Sequence, residues 1–201
     1  RTPEGIERVA AECARDLAAD GVVYAESRLA PEEITRLDPV GSARMTMDEV
    51  ISAMARGFAS APPGIELRII VCAMRNRNDS LAGAECAVRH AADGVVGFDI
   101  AGPEAGFPPA EHRAAFDVAR SGGLGVTIHA GETAGIGSIR EALVDCGAMR
   151  LGHGVRIVDD IGFDDEGGPA ALGPIASMVL ERGVCLELCP TSNVNTGVAP
   201  S

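Results

Sequence analysis

Short apolar runs rich in valine, isoleucine and leucine alternate along the chain with segments whose apolar residues follow helical spacing. The six runs begin at Val22, Leu67, Val95, Val126, Leu151 and Val184. One helical segment shows the one-sided spacing at Met47, Val50, Ile51, Met54 and Phe58. The pattern predicts an α/β fold in which strand–helix units surround a parallel sheet.

The spacing of these runs narrows the fold further. Successive runs begin 25 to 45 residues apart, which suits complete strand–helix units and not hairpins. We expect a (β/α)8 TIM barrel, incomplete here with six of eight units visible, forming one catalytic domain over residues 1–201. From the pattern alone, a doubly wound open sheet remains an alternative. The chain begins at Arg1 instead of methionine, and we expect truncation at both ends.

Composition and charge exclude several classes of function. The net charge of −12 and the pI near 4.7 would repel a nucleic-acid backbone. No apolar run approaches the roughly 20 residues of a membrane span, and no signal segment opens the chain. The six cysteines form no CxxC pair, and most are expected to be small buried residues. We therefore expect a cytoplasmic protein without nucleic-acid or membrane partners.

Polar residues stand where the predicted strands end, which is where parallel barrels place their active sites. His129 leaves one strand and Glu132 follows three residues later. An imidazole can bind zinc, and a nearby unligated carboxylate can carry a proton for an activated water. His153, between two glycines at another strand end, would bring a second imidazole to the same mouth.

Other polar residues have structural interpretations. His90 and His112 lie in polar helical segments and are expected at the surface. Glu26 and Arg28 share one face of a strand, so they form either a buried ion pair beneath the site or contacts to a substrate.

Four further segments have local interpretations. The acidic, glycine-rich stretch 159–168 is expected to be a solvated loop, with a cation site as the alternative. Residues 190–193 are expected to form a turn with side-chain to backbone bonds. The pairs Thr46 with Glu49 and Ser138 with Glu141 predict capping boxes at two helix starts.

Four segments together resemble the strand-end motifs of adenosine deaminases and occur in that family's order. They are Gly-Phe-Asp-Ile-Ala-Gly at 97–102, Thr-Ile-His-Ala-Gly-Glu at 127–132, Arg-Leu-Gly-His-Gly-Val-Arg at 150–156 and Glu-Leu-Cys-Pro-Thr-Ser-Asn at 187–193. Tyr-Ala-Glu-Ser-Arg at 24–28 resembles an earlier segment of the family, so the resemblance covers nearly the whole chain.

The resemblance implies an enzyme that converts adenosine and 2′-deoxyadenosine to inosine and 2′-deoxyinosine with one zinc ion per chain. It implies that His129 is a zinc ligand and that Glu132, protonated in the complex, donates a proton to purine N1. His153 would orient the water that attacks C6, and the backbone N–H of Gly102 would contact purine N3. Asp99 would either support the site or have only a structural role. The expected partner is a small purine nucleoside.

The chain departs from the family's pattern at the metal. The family also uses a His-x-His pair on the first strand and an aspartate on the last strand, followed by a second aspartate that contacts the purine, and none of these is present. One histidine cannot hold a catalytic zinc ion, which ordinarily takes three protein ligands. We therefore expect the missing ligands outside residues 1–201 and an inactive isolated chain.

Three alternatives remain open at this point. The first is another purine or adenine aminohydrolase of the same superfamily, because the region that would contact the sugar is absent. The second is a catalytically dead barrel that binds a nucleoside or a partner. The third is an unrelated α/β enzyme in which the two histidines are core residues.

Overall fold

The computed structural model describes residues 2–36 and 45–199. The strands are β1 (Tyr24–Leu29), β2 (Glu66–Met74), β3 (Val95–Ala101), β4 (Gly125–Ala130), β5 (Arg150–His153), β6 (Ile161–Phe163), β7 (Pro169–Leu172) and β8 (Cys185–Glu187). The helices are α1 (Pro3–Ala19), α2 (Pro31–Arg36), α3 (Met47–Ala59), α4 (Ser80–Arg89), α5 (Arg113–Ser121), α6 (Ile136–Arg140), α7 (Pro174–Arg182) and α8 (Pro190–Asn195). None of the helices in these ranges is long and apolar enough to cross a membrane.

Six strands form one parallel sheet in the order β1-β2-β3-β4-β5-β8. A doubly wound sheet reverses its strand order at a switch point, whereas this order only increases, as it does around a barrel. The prediction of an incomplete (β/α) barrel is confirmed, and the doubly wound alternative is wrong. Each of the six predicted strand starts lies within two residues of the observed one.

A small antiparallel hairpin of β6 and β7 lies outside the main sheet. The sequence predicts a solvated loop over residues 159–168, but β6 falls inside that range. Most residues of the hairpin are exposed, including Gly162 and Phe163 of β6 and all of β7. The hairpin is therefore held by backbone hydrogen bonds. Because it buries neither face, its sequence lacks the alternation of apolar and polar residues that predicts a strand. The loop prediction is therefore wrong for residues 161–163.

Helices α3, α4 and α5 pack on the outer face of the sheet with small and branched apolar residues. The predicted stripe on α3 is confirmed by Val50 and Ile51, which are fully buried, and by Phe58, which is 7% exposed. Phe98 on β3 meets Phe116 on α5 edge to face, with ring centroids 6.0 Å apart. Such pairs add specific geometry to the burial of apolar area.

One of the two predicted capping boxes is present. Thr46 Oγ1 accepts from the Glu49 amide at 3.2 Å, and Glu49 Oε2 accepts from the Thr46 amide at 2.8 Å. The second prediction is wrong, because Ser138 lies inside α6 and its hydroxyl donates to Glu104 at 2.6 Å. The Ser138 hydroxyl, which a capping box would use, instead bonds the buried carboxylate of Glu104 from another loop.

The prediction that His90 and His112 lie at the surface is wrong. His90 is 8% exposed and His112 is 5% exposed. His112 contacts the Ser80 hydroxyl with Nδ1 at 2.8 Å and the Arg75 carbonyl with Nε2 at 2.9 Å. Both histidines can be buried because each ring nitrogen has a hydrogen-bond partner. The polar neighbours of these residues in the sequence therefore did not indicate exposure.

Truncating the ring of Phe116 tests this account of the core. We expect Phe116→Ala to lower the free energy of unfolding by about 3–5 kcal/mol, because it removes a buried ring and leaves a cavity. Phe163→Ala is the matched control, since Phe163 is 53% exposed. Urea denaturation of both variants measures the difference, and equal losses would contradict the assignment of Phe116 to the core.

Candidate active site

Three residues singled out from the sequence meet at the carboxyl end of the sheet. β4 and β5 pair with His129 opposite Gly152 and Ala130 opposite His153, so the two histidines lie on neighbouring strands one position apart. Their ring centroids are 5.2 Å apart and their planes are inclined by 64°. Glu132 follows β4 and places Oε2 3.6 Å from Nε2 of His153. The arrangement joins two imidazoles and one carboxylate.

The ring of His129 is oriented by a fully buried carboxylate on the neighbouring strand. Its Nδ1 lies 2.9 Å from Oδ2 of Asp99, whose side chain has no exposed surface. A carboxylate on one ring nitrogen fixes the orientation of a histidine whose other nitrogen binds a metal. The bond to Asp99 leaves Nε2 of His129 as the nitrogen available to a metal.

The absence of a side chain at Gly152 on β5 makes room for the ring of His129. A Cβ atom at position 152 would lie 2.9 Å from both Cγ and Nδ1 of His129. Contacts that short do not occur without movement of the ring, so Gly152 permits the observed position of His129. Of the two glycines that flank His153 in the sequence, Gly152 is therefore required for steric reasons.

His153 has an unusual backbone conformation. Its φ of +65° is the one positive value among non-glycine residues in ranges 2–36 and 45–199. Such conformations cost energy and concentrate at functional sites. The side-chain amide nitrogen of Asn193 lies 3.0 Å from Nδ1 of His153. The other ring nitrogen, Nε2, faces Glu132.

The role of Asn193 was missed in the sequence. Residues 190–193 were expected to form a turn with side-chain to backbone bonds, but they begin helix α8, and Asn193 is 2% exposed with its amide on a side chain. The helix turns Asn193 inward toward β5, which local sequence could not indicate.

A chain of alternating charges lies beneath the histidines. Arg28 on β1 donates to Asp99 at 2.6 Å and also to Glu187 on β8. Arg150 on β5 contacts Glu187 at 3.3 Å and Glu26 at 2.6 Å. Burial lowers the pKa of Arg28, but Asp99 and Glu187 outweigh it and raise that pKa above its usual range. The network links four strands on their shared inner face.

The network corrects one prediction. Glu26 and Arg28 were expected to pair with each other or to contact a substrate, whereas Glu26 pairs with Arg150 and Arg28 pairs with Asp99 and Glu187. Alternate residues of a strand share a face but stand almost 7 Å apart along it. Partners on facing strands are closer, so each residue bonds across the barrel.

Gly102 lies one residue beyond the end of β3, at the same end of the sheet as the histidines. Its φ is +99°, and a Cβ atom there would lie 3.0 Å from Cε of Met74. Both the backbone conformation and the neighbouring side chain favour glycine at this position. The residue is exposed, so a ligand can approach its backbone.

Known proteins match the whole length of this chain. The family profile described as adenosine deaminase matches residues 1–201. The chain belongs to the adenosine deaminase family. It is 50% identical over 208 residues to the adenosine deaminase of Mycobacterium leprae, a match that covers 100% of this chain and 56% of that protein. The chain thus spans about half the length of the curated relatives it matches.

Solved structures of similar fold include two enzymes. The structure of adenine deaminase from Arthrobacter aurescens has a TM-score of 0.82 at 21% identity and covers 100% of this chain and 57% of that one. A zinc-bound amidohydrolase from Burkholderia ambifaria has a TM-score of 0.79 at 26% identity and covers 95% of this chain and 49% of that one. Both neighbours support the barrel fold.

A buried arginine that the sequence did not reveal bonds the backbone of His129. Arg75 follows β2, is 1% exposed, and donates to the carbonyl oxygens of His129 and Phe107. Burial lowers its pKa, against the opposing effect of Glu104 and Asp99. The alternating Arg-Asn-Arg-Asn at 75–78 looks like a solvated loop, so no local pattern predicted this burial.

Elsewhere, Asp48, Cys86 and His90 bring ligand-type atoms within 4.8 Å of one another. We assign this cluster to an ion-pair network, because Asp48 accepts two bonds from Arg89 and His90 also contacts Asp93 at 2.7 Å. Hydrogen bonds from Arg89, opposed by burial and aided by His90, lower the pKa of Asp48 to about 2. Burial raises the pKa of Cys86 to about 11, which disfavours the thiolate that binds metals.

A buried carboxyl group on α2 accepts a hydrogen bond from the last residue of β2. Glu32 is 4% exposed, accepts from the Met74 amide at 3.0 Å, and has no partner for Oε2 among the described residues. Burial raises its pKa to about 7, against the lowering effect of amide hydrogen bonds from Glu32 itself and Met74, while Asp79 raises it further. The fold therefore favours the neutral acid.

This burial predicts a pH dependence of stability. A carboxyl group with a raised pKa in the fold binds its proton more tightly there, so the free energy of unfolding falls as pH rises from about 4.5 to about 7. Glu32→Gln removes that titration, and its stability relative to wild type should rise by about 2–3 kcal/mol between pH 5 and pH 8. Urea denaturation at several pH values measures this. Glu33→Gln on the same helix controls for the lost charge, and equal behaviour of both variants would contradict the account.

Proposed function

We propose that the complete protein carrying this chain catalyses zinc-dependent hydrolytic deamination of adenosine and 2′-deoxyadenosine. The products would be inosine or 2′-deoxyinosine and ammonia. Membership of the adenosine deaminase family supports the reaction class. The reaction belongs to purine salvage, and we propose a cytoplasmic location for it.

The observation that carries the proposal is the placement of Glu132 beside His153 and of His153 beside His129. The first distance is 3.6 Å between Oε2 and Nε2, and the second is 5.2 Å between ring centroids. A binding module would need neither a proton donor nor a water-orienting imidazole in this position. The arrangement therefore favours an enzyme over a catalytically dead barrel.

Each group has a distinct part in the proposed reaction. Glu132 gives a proton to purine N1, which makes C6 more electrophilic. His153 orients a water and accepts its proton as the C6–O bond forms. The C6–N bond then breaks as His153 passes its proton to the amino group, which leaves as ammonia. The proton of the remaining C6 hydroxyl returns to Glu132 as the C6 carbonyl forms. The Gly102 backbone N–H holds N3 of the purine, which keeps the ring in register with Glu132.

Zinc would be held in part by His129, through the nitrogen that Asp99 leaves free. When bound, zinc supplies a Lewis acid that lowers the pKa of a water at neutral pH. Since catalytic zinc ordinarily takes three protein ligands, we propose that the others come from outside residues 1–201. The isolated 201-residue chain is then expected to be inactive even when it folds.

Metal and substrate dependence can be tested together on the complete protein. We expect adenosine and 2′-deoxyadenosine to be deaminated, with activity lost after chelation and restored by zinc. Ultraviolet absorbance follows the conversion, and elemental analysis should find one zinc ion per chain. Full activity after complete zinc removal would contradict the mechanism. Turnover of adenine but not of adenosine would instead favour the adenine aminohydrolase alternative.

Removing the proposed proton donor tests the role of Glu132. We expect Glu132→Gln to lower kcat for adenosine by at least about 10²-fold, because the amide cannot donate the same proton. Glu85→Gln, an exposed change of the same kind on α4, is the matched control. Wild-type kcat in Glu132→Gln would favour the reading in which the histidines are ordinary core residues.

A further inference from the structure

The loop that carries Glu132 is wrapped around a carboxylate from a different loop. Glu104 is 8% exposed and lies two residues beyond Gly102. Its oxygens accept from the backbone amides of residues 131–134 at 2.5, 3.1, 2.7 and 2.8 Å. The hydroxyl groups of Ser138 and Thr133 add bonds at 2.6 and 3.3 Å. One buried side chain thus satisfies six donors.

Four successive amides that point to one anion form a backbone nest, a conformation that leaves its N–H groups without partners when the anion is absent. Glu132 lies inside the nest, so its backbone is restrained on both sides. Burial raises the pKa of Glu104, but the bonds from Ala134, Ser138, Thr133 and Gly131 outweigh burial and lower it. The nest is therefore built for the charged carboxylate.

The position of Glu104 in the chain connects two parts of the site. It belongs to the loop that follows β3 and includes Gly102, whereas its donors belong to the loop that follows β4 and includes Glu132. In the proposed reaction, which this inference rests on, Gly102 contacts purine N3 and Glu132 contacts purine N1. These two nitrogens have a fixed separation in the purine ring, so the two loops must keep a matching separation.

We propose that Glu104 is a positioning residue that ties the Gly102 loop to the Glu132 loop and sets the distance between the two groups that contact the purine. It touches neither substrate nor metal. Loss of this tie leaves the folded barrel in place but lets Glu132 move relative to the substrate. Misplacement of a reacting group by about 1 Å can cost about 10²-fold in rate.

Glu104→Gln tests the proposal in the complete, zinc-loaded protein. Either orientation of the new amide turns an N–H₂ group toward backbone N–H groups that now lack an acceptor. We expect kcat for adenosine to fall about 10²-fold with KM and zinc content within about 3-fold of wild type. We also expect hydrogen exchange of the amides at 131–134 to accelerate by at least about 10-fold, because opening this loop then costs less.

Asp160→Asn is the matched control, since Asp160 also accepts two backbone amides, from Ile175 and Ala176 at 2.8 Å each, at the start of a helix. It should leave both kcat and exchange at 131–134 unchanged. Ser138→Ala, which removes one donor and keeps the charge, should give a smaller loss of kcat, about 2- to 10-fold. If Glu104→Gln does not fold, the kcat of Ser138→Ala tests the proposal in its place.

Three results would overturn the proposal. The first is wild-type kcat in Glu104→Gln despite fast exchange at 131–134, and the second is wild-type kcat in Ser138→Ala when Glu104→Gln does not fold. The third is rapid exchange of these amides in the folded wild-type protein. Absence of deaminase activity in the wild type would contradict the proposed function alone, because exchange would still decide whether Glu104 holds the loop.

Discussion

One fully buried carboxylate, that of Asp99, joins the fold to the site. It accepts from the Arg28 guanidinium and the Ile100 amide, and it contacts Nδ1 of His129. A buried charge is tolerated only when it is paired and hydrogen-bonded, so these partners must be in place together. Because they come from β1, β3 and β4, the same requirement that satisfies the charge also orients the histidine.

The charge network extends this constraint to the far side of the sheet. Arg28 also pairs with Glu187, which contacts Arg150, which pairs with Glu26. These residues form a polar layer inside the barrel, beneath the histidines. A polar interior costs desolvation energy that an apolar one would not. In return, the network supports the side chain of His129 rigidly, so that its Nε2 points in one direction.

The loops above this layer depend on groups supplied from elsewhere in the chain. His153 has a positive φ, and Asn193 from α8 bonds its ring. The loop after β4 closes around Glu104 from the loop after β3. Each loop would be strained or unsatisfied alone, and each is stabilised by a neighbour along the sheet. Precise placement of acid–base groups on loops requires such support.

The sequence alone determined the six strands of the main sheet and most of the residues proposed to react. Apolar runs and their spacing predicted six strands within two residues, because strand burial leaves a direct pattern in the chain. The motifs at 127–132 and 150–156 pointed to His129, Glu132 and His153. Only the tertiary structure revealed Arg75, Glu104 and Asn193 and the partners of Glu26 and Arg28. These are contacts between residues far apart in sequence, made by polar side chains whose burial depends on charges and amides that only the folded sheet brings within reach.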